Sequence, residues 1–230
     1  MILPKNKPHH GFTLVELLVV VLIISILLTL GAGALKGAGG KGVTTAVATS
    51  EAIFEEARSV AIGKGTTSRV LVDVNSVKSD TYLRRIVVAY LKLDENGEPM
   101  EGDWELSSRG YSFPDGVFFS KEFSRKDFQT GGGQLDEMSL SGVSGLFNGR
   151  YLYYEFNSEG ICTTGLSTSG EYRSPSFVVG HGARPKGEPD PRTTSEGRRD
   201  FGGFVVWRNG ATSVFRDSSQ ILGDRDPNKF

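Results

Sequence analysis

The chain carries little equipment for chemistry. One cysteine among 230 residues rules out an internal disulfide, so a fold outside the cytoplasm has to stand without that staple. Only three histidines occur, two of them adjacent at His9 and His10, too few for a histidine-built metal site. Lysines and arginines number 26 against 27 aspartates and glutamates, which leaves no bulk basic field to draw nucleic acid. There is no phosphate-binding loop: Gly40-Lys41 is followed by Gly42, and Leu35 stands where the leading glycine belongs. The run "GAGALKG" from Gly31 fails as a dinucleotide fingerprint, because Lys36 takes the place of the third glycine. Glycine, in contrast, is abundant at 30 residues, above the usual share of about 7%, and points to a turn-rich β protein. With 38% hydrophobic and 23% charged residues the composition is that of a globular protein, and the length suits one domain plus an appendage.

The longest apolar run lies at the start. From Phe12 to Leu35 the chain is apolar or small apart from Glu16 and a few hydroxyls. About twenty helical residues span the roughly 30 Å of a bilayer core, so this segment is long enough to cross a membrane. Lys5 and Lys7 precede it with no acidic residue, which orients that end to the cytoplasm. Leu17 to Leu30 also makes a credible signal-peptide core, with small residues from Gly31 to Ala34 for a cleavage site. A plain uncleaved anchor is the other ordinary reading. Neither accounts for Glu16, since a carboxylate costs roughly 2.5–3.5 kcal/mol at the centre of a membrane helix.

Basic leader, Gly11, Phe12, a short apolar stretch, Glu16 and a long apolar helix ("GFTLVELLVVVLIISILL") together resemble the N-terminal signature of type IV pilins and type II secretion pseudopilins. The resemblance covers about the first thirty residues. It implies that a prepilin peptidase cuts between Gly11 and Phe12 and methylates the new Phe12 amine, leaving the helix on the mature protein. A terminal amine with pKa near 8 is cationic, and so is a methylamine. Glu16 lies four residues on, one helical turn away, where the helix dipole also favours an anion. Within a filament, Glu16 of one subunit beside the Phe12 amine of the next would set axial register and remove two charges from an apolar environment. Glu16 is thus read as the assembly residue, with Leu14, Val15, Leu17 and Leu18 as nonspecific packing.

Beyond the apolar run, "GAGALKGAGGKG" from Gly31 to Gly42 is either a weak point in a long helix or a flexible linker. A second helix follows over 43–62: Val43, Val47, Phe54, Ala57 and Ala61 recur at helical spacing, with Ile53 and Val60 alongside, and Gly63 or Gly65 ends it. Seven β runs then begin at Arg69, Tyr82, Gly116, Tyr151, Ser176, Gly203 and Ala211, rich in β-branched and aromatic residues. Asn96-Gly97 and Asn209-Gly210 signal hairpin turns, the latter a type I′ turn. Two stretches interrupt the pattern: a Gly/Ser-rich loop from Lys126 to Gly145 and a polar, proline-bearing loop over 181–203, the latter read as mobile rather than as a contact surface.

Three arrangements mimic chemistry. Ser176, His181 and Asp190 caricature a catalytic triad without a nucleophile elbow. Asp94, Asn96 and Glu98 alternate like metal ligands but lack the rest of a calcium loop, and a hairpin turn explains them better. Cys162 reads as a buried, inert thiol. No enzyme, cofactor or metal is expected.

Scattered head motifs resemble minor pseudopilins of the H type: "EAIFEEARSVAIGKG", "DWELSSRGYSFPDGVFF", "EFNSEGICTTG" and the closing "FVVWRNGATSVFR". The loop at His181 departs from that pattern. The resemblance implies an α+β, pilin-like lollipop, a long N-terminal helix (transmembrane half, amphipathic half) packed on an antiparallel sheet. It divides into leader 1–11, transmembrane and assembly helix 12–35, glycine-rich hinge 36–42 and head 43–230, the β part running over 66–230. The implied role is a minor structural subunit of a secretion pseudopilus or pilus-like filament, single-pass in the bacterial inner membrane with its head outside the cytoplasm. Its partners would be the peptidase/methylase, other subunits, the inner-membrane assembly platform and membrane lipid, with no nucleic acid. The competing reading is a secreted or singly anchored β-rich binding domain in which Glu16 is incidental.

Overall fold

The computed structural model describes residues 14–36, 38–167, 170–185, 187–193, 200–215 and 220. The chain divides into two compact units, Met1–Ala38 and Gly39–Phe230. Helix α1 (Leu14–Lys36) makes up the described part of the first, apart from Ala38.

In the second unit, α2 (Ala38–Lys64) begins inside the glycine-rich run, which tolerates helix at a cost of about 1 kcal/mol per glycine. Its end is a Schellman motif. Gly65 adopts φ 66°, its N–H donates to Ile62 O, and the Thr66 N–H donates to Ala61 O. The stripe Val43, Ala46, Val47, Ile53, Phe54, Ala57 and Ala61 is buried, as the helical spacing predicts. Ser50 falls on the same stripe, fully buried, and its hydroxyl has no hydrogen-bond partner among the described residues. An unpaired buried hydroxyl costs about 1 kcal/mol or more, and alanine is also the better helix former. Ser50→Ala is therefore expected to stabilise the head by about 1 kcal/mol, visible as a higher denaturant midpoint at unchanged slope; a lower midpoint would mean the hydroxyl does have a partner.

Two antiparallel sheets receive that stripe. The first has strand order β3-β2-β1-β7-β6 with β4 also paired to β2, and comprises β1 (Ser68–Asp73), β2 (Arg85–Leu93), β3 (Pro99–Leu106), β4 (Tyr111–Ser112), β6 (Glu137–Leu140) and β7 (Gly149–Phe156). The second runs β10-β9-β8-β5, from β5 (Val117–Phe119), β8 (Ser176–His181), β9 (Phe201–Val206) and β10 (Thr212–Phe215). Phe54 of α2 meets both sheets at once. Its ring lies 4.9 Å from Tyr154 and 6.2 Å from Phe156 on β7, 5.3 Å from Phe177 on β8 and 5.0 Å from Phe204 on β9, all edge-on. Tyr154 is fully buried there, its hydroxyl donating to Ser176 O at 2.6 Å. The first sheet is buried on its other face too, where Leu71, Val87, Ala89, Leu91, Trp104, Leu140 and Tyr151 form a second cluster, with Val143 and Phe147 of the β6–β7 loop packed against it.

The seven expected strands are all present. The glycine/serine-rich stretch from Lys126 is not wholly loop, for it contains β6, and β3 and β4 were not expected either. Nor is the Asn209-Gly210 turn type I′, which would need φ > 0 at both central residues. Gly210 has φ 80° but Asn209 is not in the left-handed region; Gly210 N–H donates to Trp207 O and Trp207 N–H to Ala211 O. That is a type I turn closed by a left-handed glycine, and the same pattern recurs at Asp94–Glu98 and Asn157–Ile161. The loop read over 181–203 is shorter than that, since His181 closes β8 and Phe201 opens β9, and residues 182–185 and 187–193 make contacts with the head. Ala183 pairs with Arg192, Arg184 donates to Val77 O and Ser79 O, and Lys121 meets Asp190 at 2.8 Å.

Candidate functional site

Glu16 sits in the first turn of α1. Among the described side chains of that helix, Leu14 to Ser25, every large apolar one from Leu14 to Ile24 is exposed. At 100° per residue these positions go right round the helix, so it has no polar face, only a carboxylate near its start. Ser25 turns its hydroxyl back to Val21 O at 2.8 Å and so satisfies itself locally. A helix apolar on all sides is one that other helices or lipid must cover. Among the described residues no helix is long and apolar enough to cross a membrane, the described side chains of α1 falling short of the about 20 residues a span needs. Gly11 and Phe12 lie outside the described residues.

In the head, the helix motif around Arg58 and two of the turn motifs come together. Gly160 and Gly210 are both left-handed, at φ 74° and 80°, in the turns after β7 and β9. A Cβ on Gly210 would fall 2.5 Å from Arg58 Cδ, and one on Gly160 would fall 2.6 Å from Ile62 Cδ1 and 3.2 Å from Arg58 Cγ. The aliphatic stem of Arg58 thus seats against two turns, while its guanidinium reaches Glu55 at 3.4 Å on the same helix. Sequence reading found these motifs separately and missed that they meet. The signal was the repeated left-handed glycine three residues after Asn157 and Trp207.

The mimics of chemistry do not assemble. Ser176 and His181 open and close β8, five residues apart and hence about 17 Å along the strand. Ser176 Oγ is occupied in the core, donating to Phe123 O and accepting from Arg125 N–H, and Asp190 pairs with Lys121. Asp94 caps its own turn: the amide N–H groups of Glu98 and Asn96 donate to its carboxylate, both at 2.8 Å, and hold it below the usual carboxylate range. Among the described residues no cluster of three or more metal-ligating side chains occurs. Cys162 is buried, and burial pushes its thiol up, away from the reactive thiolate.

Against known proteins, residues 6–32 match the prokaryotic N-terminal methylation motif. The minor pseudopilin EpsH from the type 2 secretion system of Vibrio cholerae is similar in structure over 77% of this chain and 97% of its own, at 14% identity and a TM-score of 0.41. No curated protein matches the chain. The matched stretch takes in the start of α1, with Glu16 in its first turn. That motif implies a prepilin peptidase and fellow subunits as partners, and a membrane anchor.

Proposed function

We propose that the chain is a minor subunit of a type II secretion pseudopilus or pilus-like filament, with a structural rather than catalytic role. The observation that carries this reading is the pairing of a methylation motif at 6–32 with a helix that is apolar all round and bears one carboxylate in its first turn. Peptidase cleavage after Gly11 and methylation of Phe12 leave a cation one turn from Glu16. Residues 12–35 hold the subunit in the inner membrane lipid, single-pass with the head outside the cytoplasm, until the assembly platform draws it into the filament. The H-type assignment rests on the four head motifs of the sequence.

Mass spectrometry of the protein from its native membrane tests the processing step. The expected mature chain begins at methylated Phe12. A chain beginning near Ala32 or Leu35 would mean an ordinary signal peptide and a freed β domain, and the role given to Glu16 would fall with it.

A further inference from the structure

The free edges of the two sheets are not alike. On the first sheet, β3 presents Pro99, the left-handed Gly102, a register shift against β2 between Leu91 and Leu93, and acidic Glu101, Asp103 and Glu105. Proline, bulges and charge are the usual guards against unwanted strand pairing. The opposite edge, β6, is four residues long and carries Glu137. On the second sheet, β5 is already engaged, its Phe119 N–H donating to Leu83 O at 2.7 Å.

The last edge, β10, has the sequence Thr-Ser-Val-Phe, with no charge, proline or bulge. Because Trp207 N–H bonds Ala211 O, the alternation of an antiparallel ladder makes Ser213 and Phe215 the bonded partners of Val205 and Gly203. Thr212 and Val214 therefore aim their N–H and C=O groups away from β9. The reverse side of the ladder agrees: Val206, opposite Thr212, turns its N–H outward to Pro175 O at 2.9 Å. Among the described residues nothing pairs with the outer edge of β10.

Beside this edge runs a groove of about 140 Å³ between β10 and the start of α2. Val43, Val47, Val214 and Phe215 line it, and Val214 is 42% exposed. Two carboxylates, Glu51 and Asp200, also line it, and no lysine or arginine does among the described residues. Glu51 is held toward β10 by the Thr212 hydroxyl, 2.7 Å away. Burial raises the Asp200 carboxyl above its usual range, offset in part by the nearby His181 side chain. An apolar groove lined by two acids is complementary to an apolar segment that brings positive charge.

We propose that the outer edge of β10 and its groove dock an extended strand of a separate partner chain, apolar where it faces α2 and carrying a lysine or arginine toward Glu51 and Asp200. Backbone pairing at Thr212 and Val214 supplies attachment, and the groove and its acids supply selectivity, as in strand addition generally. The docking site belongs to the head alone and stands whether or not the chain enters a filament.

The test uses the full chain in detergent and two capped hexapeptides, Lys-Val-Thr-Val-Lys-Val and the same peptide with glutamate for lysine. Binding is followed by fluorescence anisotropy and by amide exchange at Thr212 and Val214. The lysine peptide should bind at least tenfold more tightly and slow both amides at least tenfold. Val214→Pro removes only an outward-facing N–H and leaves the β9 ladder intact, so it should abolish binding. Glu51→Gln with Asp200→Asn should bring the two peptides level. Equal binding of both peptides to the unaltered chain, or binding without protection of those amides, would overturn the proposal. So would amides already slow in the free chain, since the edge would then be covered from within.

Discussion

Glu16→Ala is expected to give a chain that is inserted and trimmed normally yet is missing from sheared filaments. Two charges set the size of this effect. The carboxylate of Glu16 lies in the first turn of a helix whose described side chains form no polar face, and a cationic Phe12 amine is the complementary group that the proposed processing would supply. Taking either charge into an apolar bundle without its counterpart costs several kcal/mol, whereas the matched pair repays most of that penalty. Since every 1.4 kcal/mol is a factor of ten in an equilibrium, loss of the pairing across each subunit contact amounts to loss of assembly rather than a small deficit. Glu16→Gln keeps the shape but not the charge, and should fail with the alanine variant if charge pairing is the cause. The readout is incorporation per cell, with membrane level and mature N-terminus measured alongside. Wild-type incorporation of Glu16→Ala would leave the independent binding-domain reading in possession.

Phe54→Ala should unfold the head more readily than any other single change on α2. Truncating a buried phenylalanine typically costs 3–5 kcal/mol, through lost transfer energy and the cavity left behind. Here the ring also makes edge-on contacts with four aromatic partners from three strands in two sheets, each such pair adding roughly 0.5–1.5 kcal/mol. The cavity would open where Tyr154, Phe177 and Phe204 converge, so no single neighbour can collapse into it. Against a typical domain stability of 5–15 kcal/mol that is a large fraction, and for a chain of this size it corresponds to a fall of roughly 10 °C in Tm. Glu55→Ala, one residue on and solvent-facing, should stay within about 0.5 kcal/mol of the unaltered head. Equal melting of the two variants would show that α2 does not bind the sheets together.

Much of this was legible in the chain because burial imposes a period. Val43, Val47, Phe54, Ala57 and Ala61 announce one helical face, and strands such as "RVLVD" and "GRYLYYEF" are apolar enough to be seen unaided. What stayed hidden was the edge. The eight-residue β3 buries only Trp104 and exposes acids along the rest, so its composition is that of a loop. β6 offers just Met138 and Leu140 amid glycine and serine. The second cluster, on the outer face of the first sheet, was hidden too, because nothing local says that the loop carrying Val143 and Phe147 will fold back to cover Leu71 and Val87. Turn type was misjudged for a related reason: Asn-Gly serves a two-residue and a three-residue hairpin loop alike, and the flanking register decides between them. At the N-terminus the signal was chemical rather than periodic. A single carboxylate in an apolar run is conspicuous in any window, which is why Glu16 stood out while the meeting of Arg58 with Gly160 and Gly210, a matter of packing across distant segments, did not.

The place of β1 in its sheet has a consequence in time. β1 lies between β2, the strand that follows it in the chain, and β7, so that Arg69 is bonded to Glu155, 86 positions away. The rings that close over Phe54 arrive later still, Phe177 on β8 and Phe204 on β9. As the chain emerges N-terminus first, α2 presents a bare apolar stripe long before its covering exists, and non-local pairings of this kind form slowly. The interval between emergence of α2 and arrival of β9 is therefore when the newborn chain is open to misassociation, and a subunit that joined its neighbours within that interval would do so with an unfinished head.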